Sequence, residues 1–204
     1  MMLAMLFAVG VTINLVSAQQ MTVAVDPASK VVPEAEIGTT FEVKITIADA
    51  ASVAGLQFYL SWNSTILNAT EMVLPAGHFM TPDGDTENLW VIVLNIDNDA
   101  GTASYGVTFM NTSRAVELGY APKSGDGTLA TITFVSKTWG VTTLHLYEVI
   151  VGDIDGEPLP HVTIDGEVTV LPEFPAFLLL PVFMIATLVA IIITKRTWLR
   201  KTRH

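Results

Sequence analysis

The chain has 204 residues, half of them hydrophobic, with a mean hydropathy of +0.50, a net charge of −10 and no cysteine. That length holds one ordinary domain with terminal segments, and a domain without cysteine has no disulfide framework to lean on. The excess hydrophobicity sits at the two ends. Between them Lys30, Lys44, Arg114, Lys123 and Lys137 face all 20 acidic residues, leaving about −15, a charge that repels nucleic acid and anionic lipid.

The N-terminal stretch MMLAMLFAVGVTINLVSAQQ carries an apolar run from Leu3 to Leu15, then Val16-Ser17-Ala18. Small residues at these positions mark a secretory signal peptide over residues 1–18, cleaved before Gln19, so that residues 19–171 form an exported domain. Within that domain short alternating runs are punctuated by Gly, Asp, Asn and Pro, the pattern of an all-β sandwich or barrel. Nine strands are expected: Met21 to Val25, Thr40 to Ala48, Gly55 to Trp62, Leu67 to Val73, Leu89 to Ile96, Ala103 to Met110, Gly127 to Val135, Val141 to Ile150 and Val162 to Val170. In TFEVKITIA, Phe41, Val43, Ile45 and Ile47 share one face; in GLQFYLSW, Leu56, Phe58, Leu60 and Trp62 point inward, and Gln57, Tyr59 and Ser61 outward. The stretches NIDNDAG and KSGDGT read as turns, and GDIDGEPLP separates the last two strands.

After the last strand, Phe174 to Thr194 runs without a charge, enough at 1.5 Å per residue to cross about 30 Å of hydrocarbon as a transmembrane helix. The segment 172–194 is thus a PEFP motif followed by a membrane span. Residues 195–204, with Lys195, Arg196, Arg200, Lys201 and Arg203, form a basic cytoplasmic tail. The expected location of the domain is the extracellular face of the cell membrane, held by a single pass with the C-terminus inside.

Several residues outside the strand pattern carry candidate chemistry. Asn63, Asn68 and Asn111 begin N-x-S/T sequons, acceptors for glycans in an exported chain. Asp153, Asp155 and Glu157 alternate in DIDGE, an oxygen-rich loop of the kind that binds calcium, although the complete twelve-residue calcium-loop pattern is absent. Solvated turns explain the same spacing. Tyr59, Trp90, Tyr105 and Trp139 are candidates for a planar strip on which sugar rings stack, with core packing as the competing account. No serine sits in a nucleophile elbow, and the histidines are scattered, so no enzymatic activity is expected and no cofactor is needed.

The run EIGTTFEVKITIADAASVAGLQFYLSWNSTILNAT, together with GDGTLATITFVSKTWGVTTLHLYEVIVGDIDGE and the closing GEVTV, resembles the cohesin domain, the nine-stranded jelly-roll module of cellulosome scaffolds. The resemblance implies a non-catalytic binding module that recognises a dockerin, a calcium-loaded helical pair, on a sheet face that includes the third strand. Here that strand offers Gly55, Gln57, Tyr59 and Ser61. Family members more often carry Asn or Asp at the positions of Gly55 and Gln57, and Asp-Pro where this chain has Asn63-Ser64. The tail from Pro172 to Pro181, PEFPAFLLLP, is similar to the archaeal PEF-CTERM sorting signal, which implies processing by an archaeosortase-type membrane enzyme. A carbohydrate-binding module taking polysaccharide on exposed aromatics, and a passive glycosylated component of the cell coat, are the other functions compatible with these features.

Overall fold

The computed structural model describes residues 20–33, 36–81, 83–84, 88–172, 181 and 183–193. In chain order the elements are β1 (Thr22–Asp26), β2 (Ser29–Val32), β3 (Thr40–Val53), β4 (Gly55–Ser61), β5 (Leu67–Val73), β6 (Leu89–Asp97), β7 (Thr102–Phe109), α1 (Thr112–Glu117), β8 (Lys123–Ser136), β9 (Gly140–Gly152), β10 (Val162–Ile164) and β11 (Gly166–Val170). They form two facing sheets, one ordered β10-β1-β3-β8-β5 and the other β2-β11-β9-β4-β7-β6.

The sandwich expected from the sequence is present, but with eleven strands among the described residues where nine were expected. Both extra strands come from the chain changing sheets. β1 pairs with β3 in the first sheet, then the chain turns at Pro27, and β2 joins the second sheet beside β11. The stretch expected as one strand from Val162 to Val170 breaks in the same way at Asp165: β10 runs parallel to β1 and β11 parallel to β2. Asp165 fixes this crossing by accepting from the Leu146 N–H at 2.9 Å and contacting His145 Nδ1 at 2.7 Å. Gly166 follows because the strands nearly touch there: a Cβ at this position would lie 2.5 Å from Val25 Cγ1.

Two further departures have local causes. KSGDGT, expected as a turn, is the first half of β8, because β3 continues to Val53 and pairs with it as far as Lys123. Side chains replace missing ladder bonds there: Asp126 accepts from the Asp49 N–H at 2.8 Å and Ser124 Oγ from the Ser52 N–H at 3.1 Å. Asp49 and Ser52 take the left-handed conformation, which absorbs the irregular register. The short helix α1 has no sequence periodicity behind it. It is capped by Asn111, whose side chain accepts from the Arg114 N–H, and it buries Ala115 completely.

The core lies between the sheets. Phe58 and Tyr105 stack with ring centroids 4.6 Å apart, Trp62 meets Phe134 edge-on at 5.2 Å, and Ile45, Ile47, Leu60, Leu67 and Ile132 fill the space around them. At roughly 1.5–3 kcal/mol for each large apolar side chain removed from water, this layer supplies the main stabilisation of a fold without disulfides. Two buried side-chain oxygens have no hydrogen-bond partner among the described residues, Thr81 Oγ1 and Ser136 Oγ. Ser136→Ala is therefore expected to leave stability unchanged or raise it by up to about 1 kcal/mol in urea unfolding, since it deletes an unsatisfied hydroxyl.

Residues 183–193 are helical, with Thr187 Oγ1 donating back to the carbonyl of Phe183 or Met184. Among the described residues no helix is long and apolar enough to cross a membrane. Residues 1–18, expected as a signal peptide, residues 173–180 of the PEFP region and residues 195–204, expected as a cytoplasmic tail, lie outside the described residues.

Candidate functional site

Strand β4 lies in the middle of the six-stranded sheet, between β9 and β7. Its alternation holds: Leu56, Phe58 and Leu60 are buried, while Gly55, Gln57, Tyr59 and Ser61 lie on the outer face and are half-exposed. Register places Thr108, Gly106, Ser104 and Thr102 of β7 beside them on one side, and Gly152, Ile150, Tyr147 and His145 of β9 on the other. No Lys or Arg occurs in β4, β6, β7 or β9.

Two bulges shape this face. Between Gln57 and Tyr59, β9 gains an extra residue at the left-handed Glu148, so that Tyr147 and Ile150 both point outward while Val151 is buried. Between Val91 and Val93 of β6 the register slips again, and Ile92 stands out of the ladder, 61% exposed. Plain alternation from Tyr147 would have turned Ile150 inward, since a one-residue shift moves every following side chain to the other face, whereas Ile92 keeps the outward parity of Trp90. Between them lies an open cleft of about 200 Å³, lined by Gly55, Gln57, Ile92, Thr108, Ile150 and Gly152.

The aromatic candidates do not form one strip. Tyr105 is a correction: at 1% exposure it belongs to the core, because it alternates with Ala103 and Val107, which also face inward. Trp90 is on the outer face but in register with Thr108 and hence Gly55. That puts it two strands across and four residues along from Tyr59, a separation of about 16 Å from strand geometry. Trp139 is exposed in the turn between β8 and β9. A contiguous row does exist and includes residues that the sequence reading passed over as aromatic candidates: Tyr59 stacks on Tyr147 at 5.5 Å, and Tyr147 on His145 at 6.0 Å. Pairing of His145 with the exposed Asp165 closes that row.

Asp153, Asp155 and Glu157 do not converge as a cation site. Asp153 Oδ1 instead accepts from the backbone N–H groups of Asp155 and Glu157, both at 2.9 Å, and so holds its own loop. Among the described residues no three acidic or histidine side chains are grouped to hold a metal ion. Of the sequons, Asn63 is exposed just after β4 and its Oδ1 accepts from the Thr65 N–H and hydroxyl, Asn111 caps α1, and Asn68 sits within β5.

One polar group of consequence lies behind the face. His78 is 1% exposed, in the connection between β5 and β6. Its Nδ1 accepts from the Met80 N–H at 3.2 Å and its Nε2 lies 2.6 Å from the Tyr105 hydroxyl, which itself donates to the Leu129 carbonyl at 2.9 Å. That chain assigns the neutral imidazole with the proton on Nε2. Burial pushes the His78 pKa down from 6.5 to about 4, with the Leu129 carbonyl acting weakly in the opposite direction, and pushes the Tyr105 phenol up. The sequence reading missed this network because a loop histidine has no periodicity to mark it as buried.

With this geometry in hand, the comparison with known proteins is direct. Residues 31–170 match the model of the cohesin domain. The chain belongs to the cohesin domain family. The cohesin match spans both sheets, and cohesin domains are non-catalytic binding modules. Among solved structures, the cohesin is similar to a non-cellulosomal cohesin from the hyperthermophilic archaeon Archaeoglobus fulgidus, at 18% identity and a TM-score of 0.56, over 78% of this chain and 96% of that one. A cohesin from Clostridium acetobutylicum matches at 20% identity and a TM-score of 0.57, over 77% and 94% of the two chains. The cohesin match to a type I cohesin–dockerin complex from Clostridium thermocellum has 14% identity and a TM-score of 0.57, over 75% and 100%. At these identities the similarity is one of fold. No curated protein matches this cohesin significantly.

Proposed function

We propose that this cohesin domain docks a dockerin-type helical partner on the outer face of its six-stranded sheet, with β4 at the centre. The observation that carries the reading is the face itself. Gly55, Gln57, Tyr59 and Ser61 stand in one uncharged row, flanked by β7 and β9 and held from behind by the Phe58–Tyr105 stack. The solved cohesin–dockerin complex of the same fold supports the choice of partner class. The departures at Gly55 and Gln57 make the contact more apolar than the Asn or Asp that the family more often carries there.

In this reading the apolar terminal segments export the domain and tether it at the outer face of the membrane, where the PEFP boundary is the processing point for an archaeosortase-type enzyme. Glycans on Asn63 and Asn111 stand at loop positions. Asn63 follows the Ser61 end of β4, away from the cleft at the Gly55 end, so its glycan leaves that cleft accessible.

The test is titration of calcium-loaded dockerin modules into the full-length chain and two variants. Tyr59→Ala is expected to weaken binding at least tenfold, the effect of losing a buried interface tyrosine. Lys44→Ala, on the outer face of the other sheet, is expected to change nothing. The reverse pattern would place the interface on the five-stranded sheet.

The row of Tyr59, Tyr147 and His145 favours one alternative, stacking of a polysaccharide on three adjacent rings. It predicts that Tyr147→Ala abolishes retention on an insoluble polysaccharide column, whereas retention unaffected by that change would discard it.

A further inference from the structure

The cleft at the Gly55 end of the face gives the partner a more specific chemistry. Two opposed glycines, Gly55 of β4 and Gly152 of β9, leave its floor without side chains. Its apolar walls are Ile92, which shares the outward parity of Trp90 and stands unpaired at the β6 bulge, and Ile150, which owes its outward position to the β9 bulge. Bulges re-aim side chains at the expense of ladder bonds, and the β9 bulge brings Ile150 to the same hollow that Ile92 borders from β6, two strands away across β4 and β7. Both isoleucines are left at least half-exposed, 61% for Ile92 and 50% for Ile150. A volume of about 200 Å³ falls below the range of roughly 300–1,000 Å³ typical of small-molecule pockets and suits a single inserted side chain.

The one charged residue among those lining the cleft is acidic, Asp153. Asp153, Asp155 and Glu157 lie in the loop bordering the cleft, Glu148 is on the β9 bulge, and Asp97 and Asp99 are at the far end of β6. No Lys or Arg on β4, β6, β7 or β9 offsets them. A second copy of this chain would bring the same acidic rim and be repelled, so complementarity selects a basic surface.

Resting on the docking reading above, we infer that the cleft receives one aliphatic side chain from a helix of the partner, and that lysine or arginine residues flank that side chain and meet the acidic loop 153–157. The aliphatic group supplies the desolvated anchor, and the flanking cations supply encounter rate and selection among partners.

The experiment uses the full-length chain in detergent and a panel of calcium-loaded dockerin modules whose contact helices range from basic to acidic. Gly152→Leu fills the cleft from its floor. A Cβ at Gly152 meets nothing closer than 3.8 Å and the residue has no left-handed backbone, so the fold accepts the change; thermal melting checks it. Ile92→Ser and Ile150→Ser remove the walls at exposed positions, and Asp155→Lys with Glu157→Lys reverses the rim while the Asp153 side chain still holds the loop. The expected results are binding confined to modules with an aliphatic residue between basic ones, a loss of at least tenfold in Gly152→Leu, and affinity that falls as salt is raised from 50 to 300 mM. The rim reversal is expected to remove most of that salt dependence. Dockerins that bind with equal affinity to wild type, Gly152→Leu and the rim variant would overturn the inference and leave the docking reading in place. If no module binds wild type, the docking reading itself falls.

Discussion

Lowering the pH from 7 to 4 is expected to remove about 3 kcal/mol of folding stability through His78 alone, at roughly 1.4 kcal/mol per unit between the unfolded pKa of 6.5 and the folded value of about 4. Above pH 6.5 the imidazole is neutral in both states, and its contribution is fully present. Below 6.5 the unfolded chain takes up a proton that the folded one refuses, because Nδ1 already accepts from the Met80 N–H and the ring is buried against Tyr105. Stability therefore falls steadily until about pH 4, where the folded state also protonates. The many surface carboxylates titrate over part of the same range, so the measurement is a difference. Urea unfolding of wild type and His78→Gln is followed from pH 7.5 to 4, and the wild-type curve is expected to drop more steeply by about the stated amount. Parallel curves would show that His78 is not held neutral by the Met80–Tyr105–Leu129 chain.

Phe58→Ala is expected to cost about 4 kcal/mol, within the range for deleting a fully buried aromatic ring. Phe58 has no exposed surface and stacks on Tyr105 at 4.6 Å with the planes 11° apart. Its loss leaves a cavity directly behind Gln57 and Tyr59 and removes the support of the ring whose hydroxyl bonds His78. Against a total stability of about 5–15 kcal/mol for an ordinary domain, this is a large fraction. The midpoint of chemical denaturation is the readout. A loss under about 1 kcal/mol would mean that the two sheets collapse around the gap and that the core does not hold the face rigidly. Phe58→Leu, which keeps most of the volume, is expected to cost considerably less.

The parts of this molecule that are legible in its sequence are those where one-sided burial writes a period of two. β3 and β4 alternate without interruption over Phe41–Ile47 and Leu56–Leu60, and both were read correctly, including which side chains of β4 face out. The same rule also carried the answer for Tyr105, since Ala103, Tyr105 and Val107 share a parity; the ring was offered as a surface candidate against its own pattern. The bulges are different. Nothing in LWVIVLNID or TTLHLYEVIVG marks the residue that drops out of register, because the choice is made by pairing with β7 and β4 and not by local propensity. The outward turn of Ile150 and the cleft it shares with Ile92 were therefore invisible; His145 and Tyr147 keep the plain outward parity of their strand, and only their register beside Tyr59 was hidden. The sheet crossings were also hidden: Ser29–Val32 was not expected as a strand at all, and Val162 to Val170 looks continuous until a second sheet claims its second half.

The face that this account assigns to the partner can be mapped without presupposing any residue. Hydrogen–deuterium exchange of the full-length chain, free and saturated with a calcium-loaded dockerin that binds it, reports which surface is covered. The expected result is slowed exchange in β6, at the bulges of β6 and β9, and in the loop 153–157, with β1, β3, β5 and β8 unchanged. Protection confined to the β10-β1-β3-β8-β5 sheet would contradict docking on the β4 face.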